Sequence, residues 1–235
     1  MIALPRPCVY LVTDRKQLAP DARTTRDEIA ALESWLDDAI DAGVDVIQLR
    51  ERDLDGRPLA DLTRRLSDRA RRTGTRILVN DRADVALAAG ARGVHLRADG
   101  PPVDRVRRLG PSDWIVGRSA HSAAEAASAS AGGADYVLFG TMFSGGTKTA
   151  PRQLAGLDRL RDAAAASRTL VVAIGGIDPD RAAMCIEAGA AGVAAISLFL
   201  PEGRSPLAMG VRQATAALRA ATARSLPGLR GPLLE

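Results

Sequence analysis

Several short polar groups in this chain follow directly on apolar runs, and their residue types suit the binding of an anion. Gln48-Leu49-Arg50-Glu51-Arg52 places Gln48, Arg50 and Arg52 on one face if the backbone there is extended. Further along stand Asn80-Asp81, then His95, then Gly117-Arg118-Ser119-Ala120-His121. Thr141 and Ser144-Gly145-Gly146-Thr147-Lys148 follow, and Gly175-Gly176 and Ile196-Ser197 close the series. Two arginines and a lysine supply charge-assisted donors for phosphate oxygens. Paired glycines let backbone N–H groups come close to a ligand. A carboxylate beside phosphate-binding cations, Asp81, has the chemistry of a Mg²⁺ ligand.

Each residue also has a plainer reading. Arg50 and Arg52 could pair with Glu51 and Asp53 on the surface. Asn80-Asp81 could be a turn and helix cap, and His95 a packed strand-end histidine. His121 could cap the helix after it, and Gly145-Gly146 could be only a loop. Their joint position favours the functional reading, since six separate segments would otherwise have to meet by accident.

The elements that position them alternate strictly. Near-continuous apolar runs predict eight strands, at Val9–Val12, Val44–Leu49, Arg76–Val79, Gly93–Leu96, Trp114–Gly117, Tyr136–Gly140, Leu170–Ile174 and Gly192–Ile196. Between and after them lie helix candidates at Thr25–Ala42, Leu59–Thr73, Asp84–Ala89, Val103–Leu109, Ser122–Ala131, Leu157–Ala166, Asp180–Ala188 and Pro206–Ala221. Thr25 and Glu28 read as a capping box for the first of these. Eightfold strand–helix alternation in one chain predicts an α/β fold, a single (β/α)₈ TIM barrel spanning residues 1–222, with residues 223–235 as a flexible tail. An open doubly wound sheet is second, because Thr13-Asp14-Arg15 stands where its glycine-rich phosphate turn would be. In a barrel the polar groups above all fall at the C-terminal ends of the strands, the face that carries active sites.

Composition narrows the class. Of 235 residues, 46% are hydrophobic, 26% charged and only 3% aromatic, which suits helix-on-sheet packing. Net charge is +4, with arginine far outnumbering lysine. No dense basic run interleaved with aromatics points to nucleic acid. The apolar stretch Ala188–Leu200 is too short and too glycine-broken to span a bilayer, so no membrane partner is expected. Cys8 and Cys185 have neither paired nor metal-ligand spacing and read as core residues. The start of the chain lacks a signal-peptide layout, and a cytoplasmic location is expected.

At these motifs the chain resembles the thiamin phosphate synthase family, including its thiazole tautomerase (TenI-type) branch. The likeness runs from Tyr10 to about Leu200. It rests on Gln48-Leu49-Arg50-Glu51-Arg52, Leu78-Val79-Asn80-Asp81-Arg82, Gly93-Val94-His95-Leu96, Val116-Gly117-Arg118-Ser119-Ala120-His121-Ser122, Ala134-Asp135-Tyr136-Val137-Leu138-Phe139-Gly140, Thr147-Lys148 and Ala173-Ile174-Gly175-Gly176-Ile177. The resemblance implies condensation of a hydroxymethylpyrimidine diphosphate with a thiazole phosphate, with release of pyrophosphate. It implies that Gln48, Arg50, Arg52, Asn80 and Lys148 hold pyrophosphate and that Asp81 holds Mg²⁺. Ser119 then faces the pyrimidine and Thr147 the thiazole phosphate, which Gly176, Ile196 and Ser197 bind through the backbone.

Two motifs depart from the synthase pattern. After Gly93-Val94-His95-Leu96 the family has Gly-Gln-Glu-Asp, the last residue a second Mg²⁺ ligand. Here Arg97-Ala98-Asp99-Gly100 leaves Gly100 at that position and Asp99 as the nearest carboxylate. Ser144 and Gly145 replace the Pro and first Thr of a Pro-Thr-x-Thr-Lys loop. The Gly117–Ser122 and Phe139–Phe143 stretches look more like the tautomerase branch, in which His121 would move the proton, a job its near-neutral reference pKa suits. A non-catalytic binder of thiazole or thiamin phosphates is the third expectation.

Overall fold

The computed structural model describes residues 4–145 and 154–225. Eight parallel strands close into a barrel in sequence order: β1 (Cys8–Val12), β2 (Val46–Leu49), β3 (Arg76–Asn80), β4 (Gly93–Leu96), β5 (Ile115–Ala120), β6 (Tyr136–Gly140), β7 (Leu170–Ile174) and β8 (Gly192–Ala195). The ring is completed by β1 against β8, with Cys8 opposite Gly192. The outer helices are α2 (Thr25–Asp41), α3 (Gly56–Ala70), α4 (Ala83–Ala88), α5 (Val103–Arg107), α6 (Ala123–Ala131), α7 (Gly156–Ala166), α8 (Pro179–Glu187) and α9 (Val211–Arg224). A single turn, α1 (Arg15–Leu18), precedes α2, and a 3₁₀ turn (Ser197–Phe199) follows β8.

Side-chain alternation sorts the core into two layers. Val9, Leu11, Ile47, Val79, Val116 and Phe139 point outward and pack beneath the helices. Tyr10, Val12, Val46, Leu78, Ile115, Tyr136 and Val172 point inward and fill the barrel. Both cysteines are buried and unpaired.

The differences from the sequence reading have local causes. The cap of α2 is Thr24, whose hydroxyl accepts from the Asp27 N–H and donates to the Asp27 carboxylate, so the cap sits one residue earlier than the Thr25/Glu28 box expected. Helix α3 starts at Gly56 instead of Leu59, since Pro58 in a first turn forfeits no intrahelical bond. Helix α9 starts at Val211, not Pro206: Gly210 enters it with φ +76°, a left-handed conformation outside any helix. It continues to Arg224, two residues into the segment expected as a tail, and residues 226–235 lie outside the described residues.

Strand β5 runs to Ala120, three residues past the Gly117 end that the apolar run predicts. Gly117 is needed inside the strand. A Cβ there would lie 2.0 Å from Cζ of Tyr136, so its bare Cα makes room for that ring in the barrel. The extension carries Ser119 to a defined register opposite Leu138.

Candidate functional site

The rim above β2 begins with a division of charges. Arg15, on α1, is almost wholly buried and donates to Glu51 at 3.0 Å, to Asp53 at 2.7 Å and to Glu28 at 2.8 Å. Lys16 reaches Asp53 at 2.5 Å. Thr13 adds a 2.5 Å hydroxyl bond to Glu51. The acids that flank Arg50 and Arg52 in sequence are therefore consumed by residues from the β1 end. Among the described residues neither Arg50 nor Arg52 enters an ion pair. Burial, and then the charge of Arg52, lower the pKa of Arg50, the signature of a cation held near like charge. Its backbone N–H is fixed by the Thr13 hydroxyl at 2.9 Å.

Asn80 ends β3 and Asp81 follows with φ +58°, the one described non-glycine residue in the left-handed region. That turn points the Asp81 carboxylate away from helix α4, which it does not cap, and toward the β4 loop. There Oδ1 accepts from the Arg97 N–H and Oδ2 lies 2.9 Å from Arg97 Nε, both contacts 2.9 Å long. Asp99, largely exposed, stands 3.5 Å from the same Nε. Arg118 pins this loop by donating to the carbonyls of Ala98, Gly100 and Pro101. A cavity of about 220 Å³ opens here, lined by Arg52, Asn80, Asp81, Arg82 and Arg97 among others. A larger cleft, about 390 Å³, lies at the opposite end of the barrel. Its Arg107 is already bound to Asp135 and to the carbonyls of Trp114 and Gly133.

Inside the barrel mouth a polar layer joins β1 to β6. Gln48 is buried, accepting from the Tyr10 hydroxyl at 2.9 Å and donating to Asn80 at 2.7 Å. Asn80 Nδ2 donates to Asp81 at 2.9 Å. The Tyr10 and Tyr136 hydroxyls meet at 2.8 Å. His95 Nδ1 is 3.0 Å from the Tyr136 hydroxyl, and His95 Nε2 is 2.9 Å from Ser119 Oγ. Burial first, then the charges of Arg50 and Arg118, push the His95 pKa down to about 3, so this imidazole is neutral. Neither tyrosine is a site residue on the sequence alone. An inward-facing Tyr in each of two strands was the available signal.

His121 lies one residue past β5. Its Nδ1 bonds the Gly140 carbonyl at the end of β6, its N–H donates to Glu125 and its carbonyl accepts from Arg159. Ser122, not His121, caps α6. On the far side, Gly175 and Gly176 have φ +107° and +63°. A Cβ at Gly176 would come within 2.6 Å of the Phe143 carbonyl, so the turn is closed over by the β6 loop. Arg181, on the first turn of α8, donates to the Gly176 carbonyl at 2.8 Å and lies over the Phe143 ring. Ile196 and Ser197 follow β8, the strand beside β7. Thr147 and Lys148 lie outside the described residues.

The structure thus brings Gln48, Asn80, Asp81 and Ser119 into one network and Arg52 into the cavity that Asn80 and Asp81 line, with Asp99 against its Arg97; Arg50 follows β2 and does not line that cavity. His121 sits on the neighbouring strand end, and Gly176 and Ser197 cross the mouth on adjacent strands.

Comparisons with known proteins show which family the chain belongs to. A thiamine-phosphate synthase of Methanoculleus marisnigri is 42% identical over 195 residues, covering 83% of this chain and 88% of that protein. One from Moorella thermoacetica is 39% identical over 175 residues, covering 74% of this chain and 82% of the other. Among solved structures, a thiamine phosphate pyrophosphorylase from Pyrococcus furiosus superposes with a TM-score of 0.77 at 30% identity, covering 94% of this chain and 97% of that one. Residues 9–199 match the sequence model of the family described as thiamine monophosphate synthase, all eight strands but the first residue of β1 among them, and the chain belongs to that family.

Proposed function

We propose that this protein is a thiamin phosphate synthase, joining a hydroxymethylpyrimidine diphosphate to a thiazole phosphate and releasing pyrophosphate. The observation that carries this reading is that Arg15 and Lys16 take the ion pairs of Glu51 and Asp53, leaving Arg52 in the cavity lined by Asn80 and Asp81 and Arg50 within the electrostatic reach of Arg52 and Asp81. Two guanidiniums that form no ion pair among the described residues suit a diphosphate in a way that a tautomerase, which has no leaving group, does not require. The names carried by the relatives favour the same choice.

In the reaction the C–O bond between the pyrimidine methylene and the diphosphate breaks, and the electron pair leaves with pyrophosphate. The electron-rich aminopyrimidine stabilises the methylene cation until the thiazole nitrogen attacks it, forming the new C–N bond. Arg50 and Arg52 meet the charge that develops on the leaving group. Asn80 and Gln48 fix the wall beside them, and Lys148 is expected to join them. Ser119 faces the pyrimidine. Gly176, Ile196 and Ser197 bind the thiazole phosphate through the backbone, with Thr147 at its border.

The donor set fits Mg²⁺. Asp81 holds its carboxylate on a left-handed turn against a cation, Arg97, with Asp99 near the same nitrogen. A hard divalent ion usually takes one or two carboxylates together with substrate phosphates. Bound there, Mg²⁺ would neutralise the departing pyrophosphate.

A paired assay on purified protein tests this. One arm supplies the pyrimidine diphosphate, the thiazole phosphate and Mg²⁺, and thiamin phosphate should form. The other supplies a thiazole carboxylate phosphate tautomer without metal, and aromatisation should not be accelerated. Aromatisation alone would transfer the chemistry to His121, and no turnover in either arm would leave a binding protein.

A further inference from the structure

The polar layer inside the barrel has only one consistent arrangement of hydrogens. It starts at the Asp81 carboxylate, whose oxygens can only accept. Asn80 must then turn its Nδ2 toward Asp81, which leaves Oδ1 to accept from Gln48 Nε2. Gln48 is left with Oε1 toward Tyr10, so the Tyr10 hydroxyl donates there. Tyr10 has then spent its one hydrogen, so at the 2.8 Å contact Tyr136 donates to Tyr10. Tyr136 has now spent its own, so at 3.0 Å the His95 Nδ1–H must donate to the Tyr136 oxygen. A neutral imidazole with its proton on Nδ1 has a bare Nε2, so Ser119 donates its hydroxyl hydrogen to His95 at 2.9 Å. The reverse arrangement ends with the Asn80 carbonyl facing a carboxylate and is excluded.

We propose that Tyr10, Tyr136 and His95 are positioning residues that carry this one-way chain across the barrel and so present Ser119 to the ligand as a hydrogen-bond acceptor. Its hydrogen is committed inward, and Ser119 is only half-buried, so its lone pairs are left open to the barrel mouth. A ring bearing an exocyclic amino group finds an acceptor there. The same ring bearing an oxo group meets lone pairs with lone pairs. The chain thus links the anion side of the site, at Asp81, to the choice of ring at Ser119. This consequence rests on the reading that Ser119 faces the pyrimidine, whereas the chain itself does not.

Two measurements separate these layers. The protein has two histidines, so long-range ¹H–¹⁵N spectra of histidine-labelled full chain resolve both, and His95→Gln identifies the His95 signals. His95 should be neutral with the proton on Nδ1. In Tyr10→Phe the Tyr136 hydroxyl loses its acceptor and turns to His95, so the proton should move to Nε2. Should Tyr10→Phe not fold, Tyr136→Phe removes the Nδ1 acceptor and should give the same shift. A wild-type His95 protonated on Nε2, or a tautomer unmoved in the folded variant, overturns the chain. The second measurement is the Kd ratio for aminopyrimidine and oxopyrimidine methyl phosphates by titration calorimetry. The wild type should favour the amino ring, and the variant should narrow that preference about tenfold, while thiazole phosphate binding stays unchanged. A tautomer shift with an unchanged ratio overturns the role in selection. Failure of the wild type to bind either pyrimidine defeats the proposed function and leaves the spectroscopic result to judge the chain.

Discussion

Arg15 Nη1 lies 3.0 Å from Glu51 Oε2, and the two side chains are 4% and 2% exposed. Removing one partner of so enclosed a pair leaves a charge buried without compensation. Arg15→Met should therefore destabilise the fold by about 3–5 kcal/mol, read as a shift of the urea midpoint. Pairing it with Glu51→Gln should recover much of that loss. In the single variant Glu51 and Asp53 are released toward Arg50 and Arg52, so KM for the pyrimidine diphosphate should rise more than kcat falls. An unchanged KM would mean that the rim arginines do not depend on Arg15.

His95 gives a pH dependence with a defined sign. Its folded pKa, about 3, is below the ordinary histidine value of 6.5, so between these values the unfolded chain binds the extra proton. The stability that neutral His95 contributes is complete above pH 6.5 and is lost as pH falls toward 3. The ceiling on that slope is about 1.4 kcal/mol per pH unit. Denaturation midpoints of wild type and His95→Gln, compared from pH 7 to 4, should show the steeper acid loss in the wild type. Carboxylates contribute equally to both proteins and cancel.

Much of this arrangement is legible in the residues. All eight strands, and the rim positions of Gln48, Arg50, Asn80, Ser119 and Ser197, follow from apolar runs and the polar residues that end them, because a buried parallel strand has to be apolar on both faces. The sequence is silent where a partner is remote. Nothing local shows that Arg15 would take Glu51 and Asp53, 36 and 38 residues away. Gly117 reads as a stop because its function, clearing space for Tyr136, depends on the neighbouring strand. The network through Tyr10 and Tyr136 was hidden for the same reason: inward tyrosines resemble core until their hydroxyls meet.

Gly176 combines φ +63° with a Cβ position 2.6 Å from the Phe143 carbonyl, so any side chain strains its own backbone and pushes on the β6 loop. Gly176→Ala should lower affinity for thiazole phosphate at least tenfold in calorimetry, and Gly176→Asp, which adds a negative charge, should abolish it. Binding of the pyrimidine diphosphate should be spared in Gly176→Ala. Undiminished thiazole phosphate binding in Gly176→Asp would remove the phosphate from this turn.

Gly100 is the position where the family pattern has a second carboxylate, and its geometry supports rebuilding one. A Cβ there would lie 3.8 Å from Asp81 Oδ1 and 3.1 Å from the Arg97 carbonyl, close enough that the loop need give only a few tenths of an ångström. Gly100→Asp would then set two carboxylates side by side, with Arg97 between Asp81 and Asp99 as their countercharge in the absence of a metal. A unit charge added at about 4 Å contributes on the order of 1 kcal/mol even in a water-like dielectric. That is roughly a fivefold lowering of the Mg²⁺ concentration giving half-maximal turnover, since about 1.4 kcal/mol corresponds to tenfold. Asp81→Ala should move the other way and remove most turnover, as chelation should in the wild type. His121→Ala should leave the metal dependence where it was. If Gly100→Asp changes neither metal affinity nor rate while Asp81→Ala stays fully active, Asp81 is not the metal ligand and its place is only at the end of the hydrogen-bond chain.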